Sequence, residues 1–227
     1  MLKSDIAGNY VTSELLKVIE SKNVTITPHY RFNKNKVEDQ FVTEYLMDTG
    51  KDDPSYENYW RREIVRDAKE SSLAVGEDAG KREPMSNIYE FPDGKTIDLA
   101  DEKYSILDKL FQPSKESTGF NGYQQMIIDS INRSDLDIRK ELYSNILLCG
   151  GNTLFSGFPE RLQKQLFTSS SQNVKIKVIT LPTLSERKFS SWIGGSILSS
   201  LGTFHQLWLS KQEYEEHGAM IIERKCA

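Results

Sequence analysis

The sequence predicts an α/β protein, and three features carry that prediction. Ile146-Leu147-Leu148 is a short apolar run of the kind that forms a buried strand, followed by Gly150-Gly151 and then a helical pattern over residues 158–166. Residues 88–91 and 96–99, separated by Pro92-Asp93-Gly94-Lys95, read as a hairpin. Apolar residues recur at helical spacing over residues 10–20 and 59–73.

In order, residues 10–20 form a helix capped by Thr12 or Asn9, with Val11, Leu15, Leu16 and Ile19 on one face. Residues 23–26 alternate like a short strand. Residues 28–59 are polar and punctuated by Asn-Lys-Asn-Lys, Thr-Gly and Asp-Asp-Pro, which predicts an irregular surface insertion. Its aromatic residues Tyr30, Phe32, Phe41, Tyr45, Tyr56 and Tyr59, with Trp60 beyond them, are too many for plain disorder and predict docking on the body or on a partner. The helix over residues 59–73 turns Ile64, Val65 and Ala68 inward. Its charges are spaced for pairing, as in Arg62-Glu63 and Arg66 with Glu70. A loop over 76–87 precedes the hairpin. Residues 104–111 are a short amphipathic segment stopped by Pro113, and helices follow over 122–132 and 135–142, the second with Asp135 or Asp137 near its start. Beyond a loop at 169–171, residues 174–181 alternate Lys with aliphatics as a half-buried strand closed by Pro182. Residues 190–200 are helical, 204–209 apolar and aromatic, and 211–216 a charged helical turn before a short basic tail.

Composition narrows the function. The 227 residues are 37% hydrophobic and 27% charged with a net charge of −4, which gives no support for a general nucleic-acid or membrane binder. No run reaches the roughly 18 apolar residues of a membrane span. The two cysteines, Cys149 and Cys226, have no metal-ligand spacing, and so few in a chain of this length point to a reducing compartment, cytosolic or nuclear. His29, His205 and His217 lack zinc partners in sequence. There is neither a Gly-x-x-x-x-Gly-Lys-Ser/Thr loop nor a Gly-x-Ser-x-Gly elbow. What remains is the strand, Gly-Gly turn and helix around residues 146–166, where backbone N–H groups can approach a ligand with no Cβ in the way.

Several stretches, in the same order, resemble actin. They include Arg62-Glu63-Ile64-Val65-Arg66-Asp67-Ala68-Lys69-Glu70, Glu90-Phe91-Pro92-Asp93-Gly94, Leu110-Phe111-Gln112-Pro113-Ser114 and Cys149-Gly150-Gly151-Asn152-Thr153. Glu186-Arg187-Lys188-Phe189-Ser190-Ser191-Trp192-Ile193-Gly194-Gly195 and Trp208-Leu209-Ser210-Lys211-Gln212-Glu213-Tyr214 extend the match. The insertion at 28–59 has no counterpart in actin. Pro54-Ser55-Tyr56-Glu57-Asn58-Tyr59 and the run from Phe189 to Gly195 resemble the nuclear, class-four branch of the actin-related proteins, shared by histone-acetyltransferase and chromatin-remodelling complexes.

The resemblance implies the C-terminal half of the actin-like ATPase fold, of ribonuclease H-like type: a mixed sheet flanked by helices, with a smaller helical outer subdomain. It implies an outer subdomain over 1–118 that carries the insertion, an inner subdomain over 119–189, and a returning segment over 190–227. It implies ATP, with Gly150, Gly151 and Asn152 along the nucleotide and Phe155 toward the base. Arg66, Lys69 and Glu70 would reach base and ribose from one helix, Lys188 would flank the adenine and Gly8 would lie by the ribose. The magnesium and phosphate loops would belong to the preceding half. Asn152 and Phe155 stand where actin has threonine and tyrosine, each without the hydroxyl. No catalytic and no metal-ligating residue is expected in this chain.

The same resemblance makes Ile193, Ile197, Leu198, Leu201, Thr203 and Leu207 a hydrophobic cleft for a helical partner. From periodicity alone, Ile193, Ile197 and Leu201 form one stripe at i, i+4 and i+8 that is either core or docking surface. Gly194 and Gly195 would allow close packing on the other side. The implied function is a non-catalytic structural subunit of nuclear chromatin complexes. Its implied partners are actin, a helical scaffold subunit and histones or the nucleosome, with no membrane. The competing reading is an independent actin-like ATPase.

Overall fold

A computed structural model of the chain describes residues 1–37, 40–47, 50, 52–76, 87–100, 102–113, 120–170 and 174–225. Two compact units are distinguished: Met1–Leu148 with Asn152–Thr180, and Cys149–Gly151 with Leu181–Ala227. The architecture is mixed α/β, with predominant helices and small two-stranded sheets, two antiparallel and one parallel among the described residues.

The first unit is built on α1 (Gly8–Ser21), which packs against α2 (Pro54–Ser72) and α3 (Glu102–Asp108). Val11, Leu15 and Ile19 are wholly buried, as the helical stripe predicts. The expected caps are not used. Ala7 occupies the cap position and Thr12 instead donates its hydroxyl to the Gly8 carbonyl at 3.0 Å, so α1 begins earlier than predicted. The strand expected at 23–26 is absent. Asn23 takes a left-handed conformation (φ 57°) that stops the helix, and the residues after it run without a strand partner, although Ile26 is buried.

The insertion is more regular than the sequence suggests. β1 (Phe32–Val37) and β2 (Gln40–Tyr45) pair antiparallel from Phe32 opposite Tyr45 to Val37 opposite Gln40. Its last residues are the opening turn of α2, which starts at Pro54 with the Asp53 carboxylate accepting from Ser55 N at 2.8 Å. Asp followed by Pro is a legible start signal, an N-cap and a first-turn proline. Inside α2, Ile64, Val65 and Ala68 are buried as predicted, whereas Arg66 pairs with Glu63.

β3 (Ile88–Glu90) and β4 (Thr96–Asp98) form the predicted hairpin. Tyr89 reaches back to α2, its hydroxyl donating to Asp67 at 2.8 Å; burial and this carboxylate push the phenol well above its ordinary range. The turn of this hairpin holds the insertion. Thr43 Oγ1 donates to the Asp93 carbonyl at 2.8 Å, and Tyr45 OH to Asp93 Oδ2 at 3.2 Å. Lys95 Nζ lies 2.9 Å from the same Oδ2 and also donates to the Thr25 carbonyl and to Thr27. Asp93 is only 4% exposed. Burial alone would raise its pKa, but the hydrogen bonds from Lys95 and Thr27 outweigh it and hold the carboxyl below its ordinary 3.8.

α4 (Tyr123–Asn132) packs against α6 (Phe158–Ser169), and α5 (Arg139–Ser144) leads into β5 (Ile146–Leu148). β5 pairs in parallel with β6 (Val178–Thr180), shorter than the strand expected over 174–181. β5 is not buried throughout. Leu148 is buried, but Leu147 points to the opposite face and is 57% exposed. In the second unit, α7 (Leu184–Ser200) starts six residues before the predicted helix, at a capping box formed by Thr183 and Glu186. A second box, Ser210 with Glu213, opens α8 (Lys211–His217), and α9 (Met220–Lys225) follows. Lys225 Nζ donates to Glu213 Oε1 at 2.6 Å and to the Trp208 carbonyl at 2.9 Å, and with Ser210 it draws Glu213 down to about 2. Most of the loop expected at 76–87, Ser171 and the last two tail residues lie outside the described residues.

Replacing Asp93 by alanine in the full-length protein leaves Tyr45 and Lys95 without their shared acceptor and is expected to cost about 1–3 kcal/mol at neutral pH. A carboxyl with a lowered folded-state pKa stabilises fully above its unfolded value and loses that contribution as pH falls through the lowered one. The alanine penalty should therefore shrink below pH 3.8, the ordinary value, in urea melts compared with those at pH 7.

Candidate functional site

The residues singled out by the sequence fall in both units, and each group is described within its own. In the first, Gly8 and Asn152 touch. A Cβ on Gly8 would lie 2.9 Å from Asn152 Oδ1, so the missing side chain makes room for the carboxamide. A side chain that sequence reading missed, Tyr123, joins them. Its hydroxyl donates to the Ile6 carbonyl at 2.9 Å. The phenol is raised by burial. The only sequence signal for it is that Tyr123 opens α4 directly after Gly122.

On α2 the expected polar face divides. Arg66 and Glu70 are exposed, whereas Lys69 is buried. Phe155 is 7% exposed and belongs to the core with Phe158, Leu162 and Leu166. Its ring therefore acts as packing, because a phenyl group has no polar atom to keep at the surface.

In the second unit, Gly150 has a φ of +91°, and its N–H donates to the Arg187 carbonyl at 2.8 Å. Lys188 follows, with its ammonium 5.8 Å from the Phe189 ring centre. A 3-10 turn over Gly151–Leu154 comes next, and α6 begins at Phe158, where the helical pattern places it. Among the described residues, a Cβ at either glycine would meet nothing within 4 Å.

The stripe on α7 is surface in this chain. Ile197 is 61% exposed and Leu201 49%, Leu198, Thr203 and Leu207 are exposed as well, and Ile193 is half-buried. Only Arg187 is buried along the helix. Among the described residues, nothing outside α7 packs within 4 Å of where a Cβ would stand on Gly194 or Gly195. Trp192, 74% exposed, adds to the apolar surface.

Gly150→Ala should destabilise the full-length protein by about 1–2 kcal/mol, since an L-residue pays that in the left-handed region. Gly151→Ala, which has no positive φ and, among the described residues, no neighbour to meet, should leave the thermal midpoint within error of wild type. Thermal unfolding of both variants checks the contrast.

The family model described as Actin matches residues 1–227. Actin-related protein 4 of Oryza sativa subsp. indica is 43% identical over 238 residues, which cover 98% of this chain and 54% of that relative. Actin-related protein 4 of Arabidopsis thaliana is 40% identical over 242 residues, covering 100% and 55% respectively. The chain spans about half the length of the curated relatives it matches. The α/β architecture is that of half an actin-fold domain, and the chain belongs to the actin family.

Proposed function

We propose that this chain is part of a structural, non-catalytic actin-related subunit of nuclear chromatin-modifying assemblies, both histone acetyltransferases and ATP-dependent remodellers. In this reading the subunit pairs with actin on a helix of a scaffold protein and helps to engage histones or the nucleosome. The observation that carries the reading is the apolar stripe of α7. Ile197, Leu198, Leu201 and Leu207 offer branched side chains on a surface where soluble helices normally carry polar ones. A stripe at i, i+4 and i+8 suits the apolar face of an amphipathic helix laid in a groove. The names of the relatives support an actin-related protein of this branch.

The same proposal includes an adenine nucleotide. The residues present fit such a group at several points. Within the first unit, Gly8 lies beside Asn152 and Arg66 and Glu70 are exposed on α2; within the second, Gly150 and Gly151 carry no side chain and Lys188 brings a charge. Lys69 would act from a buried position and Phe155 as backing beneath the site. The phosphate- and magnesium-binding loops would come from outside this chain. A bound nucleotide would stabilise the fold by mass action and need not be turned over.

Each Leu or Ile buried by a docked helix contributes about 1.5–3 kcal/mol. Ile197→Asp or Leu201→Asp in the full-length protein should therefore abolish co-purification with the scaffold subunit while ATP content stays at the wild-type level. A folded variant that still co-purifies stoichiometrically rejects the docking assignment. Gly151→Val should show the reverse, with a normal thermal midpoint but no retained ATP, because two methyl groups would fill the space left open there. Unchanged ATP content in that variant rejects the nucleotide placement.

A further inference from the structure

We infer that the aromatic patch where the insertion meets the start of α2 is a docking surface for the lysine- and arginine-rich tail of a histone. The inference rests on the histone part of the reading above and uses residues of the first unit only. His29 and Tyr30 lie against Tyr56, Tyr59 and Trp60 of α2. Ring centres are 4.2 Å apart for His29 and Trp60, 5.1 Å for Tyr30 and Tyr56, and 5.3 Å for Tyr59 and Trp60. None of the five rings joins the buried core. Tyr56 and Tyr59 are about half exposed, and His29 is exposed as well. The apolar surface continues into Leu46, whose N–H donates to the Arg31 carbonyl at 2.8 Å, and into Met47, both exposed. Adjoining exposed rings of this kind mark a contact surface, unlike single apolar residues scattered over a protein. Tyr30 OH and Trp60 Nε1 are shut off from solvent and have no hydrogen-bond partner among the described residues. A peptide main chain laid over the rings brings carbonyl acceptors to donors that this chain leaves unused.

Charge decides the occupant. Arg31 already shows how the patch holds a cation. Its guanidinium lies 5.7 Å from the centre of the Tyr30 ring, 2.9 Å from the Asp52 carboxylate and 3.8 Å from that of Glu57. A ring face beside a carboxylate suits ammonium and guanidinium groups alike. Asp52 and Glu57 both stay partly exposed, so solvent-borne cations reach them. Asp53 caps α2, and its charge serves the helix end. The next cations on α2 are turned to α1, Arg61 to Glu20 and Arg62 to Ser13. Residues 48–57 carry Asp48, Asp52, Asp53 and Glu57 against Lys51 alone. The surplus of carboxylates repels nucleic acid and acidic peptides and draws basic ones. A histone tail supplies cations on long flexible stems, along a main chain free to lie flat on the rings.

The test titrates full-length protein into fluorescently labelled core histones, intact or with their tails removed by trypsin, and reads anisotropy at fixed salt. Wild type should bind intact histones more tightly than tailless ones. Tyr59→Ala should weaken binding to intact histones by about two- to fivefold, the range for one exposed contact between a cation and a ring. Tyr59→Phe keeps the ring and should bind as wild type does. Glu57→Lys should also weaken binding, by a factor that shrinks as added salt screens the charge. On tailless histones none of these changes should have an effect. Equal affinity for intact and tailless histones overturns the inference and leaves the histone reading standing, as does wild-type affinity in Tyr59→Ala and Glu57→Lys. A loss in Tyr59→Phe equal to that in Tyr59→Ala overturns the contact with the ring face. Should Tyr59→Ala fail to fold, Glu57→Lys decides alone. Wild-type protein that binds neither form of histone overturns the histone reading itself, and the inference with it.

Discussion

The complete burial of Val11, Leu15 and Ile19 on α1 is the constraint around which the first unit is arranged. A helix with such a stripe must be covered along its length, and α2 and α3 supply the cover with Val65, Ala68, Ile106 and Leu107. Polar side chains then tie the rims. Glu14 pairs with Lys17 and with Lys109 beyond α3, and Lys22 reaches Glu102 and the Asp98 carbonyl. Arg61 on α2 pairs with Glu20. These exposed pairs contribute little each, about 0–1 kcal/mol, and their effect is to fix the register in which the apolar faces meet.

Once α1 and α2 are set, the smaller pieces follow. The β3–β4 hairpin is attached to α2 through Tyr89 and Asp67, and its turn becomes the anchor for the insertion through Asp93. An insertion rich in Asn, Lys and Asp thereby acquires order without a large core of its own. Its aromatic residues divide the work. Tyr45 hydrogen-bonds to the anchor, whereas Tyr30, Tyr56 and Trp60 pack against one another where the insertion meets α2. The second unit has a different character. Its helices are defined by capping boxes and by the Lys225–Glu213 clasp, and α7 keeps its apolar residues at the surface.

Helix pairing on α1 and α2 and the 88–99 hairpin were legible because each rests on local periodicity and on turn chemistry confined to a few residues. The start of α7 was equally legible in Thr183-Leu184-Ser185-Glu186, although the apolar pattern alone places it later. The strand expected at 23–26 failed because alternation over four residues supplies no partner strand, and Asn23 spends its conformation on ending a helix. The hairpin at 32–45 went unread because its strands carry Asn, Lys, Gln and Glu, and its stability comes from a turn about fifty residues away in sequence.

By itself the sequence determined the family, through motifs spread along the chain, and the existence of the main helices, through spacing that needs no knowledge of the fold. The pair Gly150-Gly151 stands out as a turn that brings backbone close to a ligand, whereas Gly8 and Asn152 were singled out only through the resemblance to actin. Tertiary structure decided what those residues do. Only packing shows that Gly8 makes room for Asn152 and that Phe155 belongs to the core. Burial shows that this chain alone does not cover the α7 stripe. Periodicity records that apolar side chains share a face, but whether that face meets core or solvent depends on what the rest of the chain lays over it.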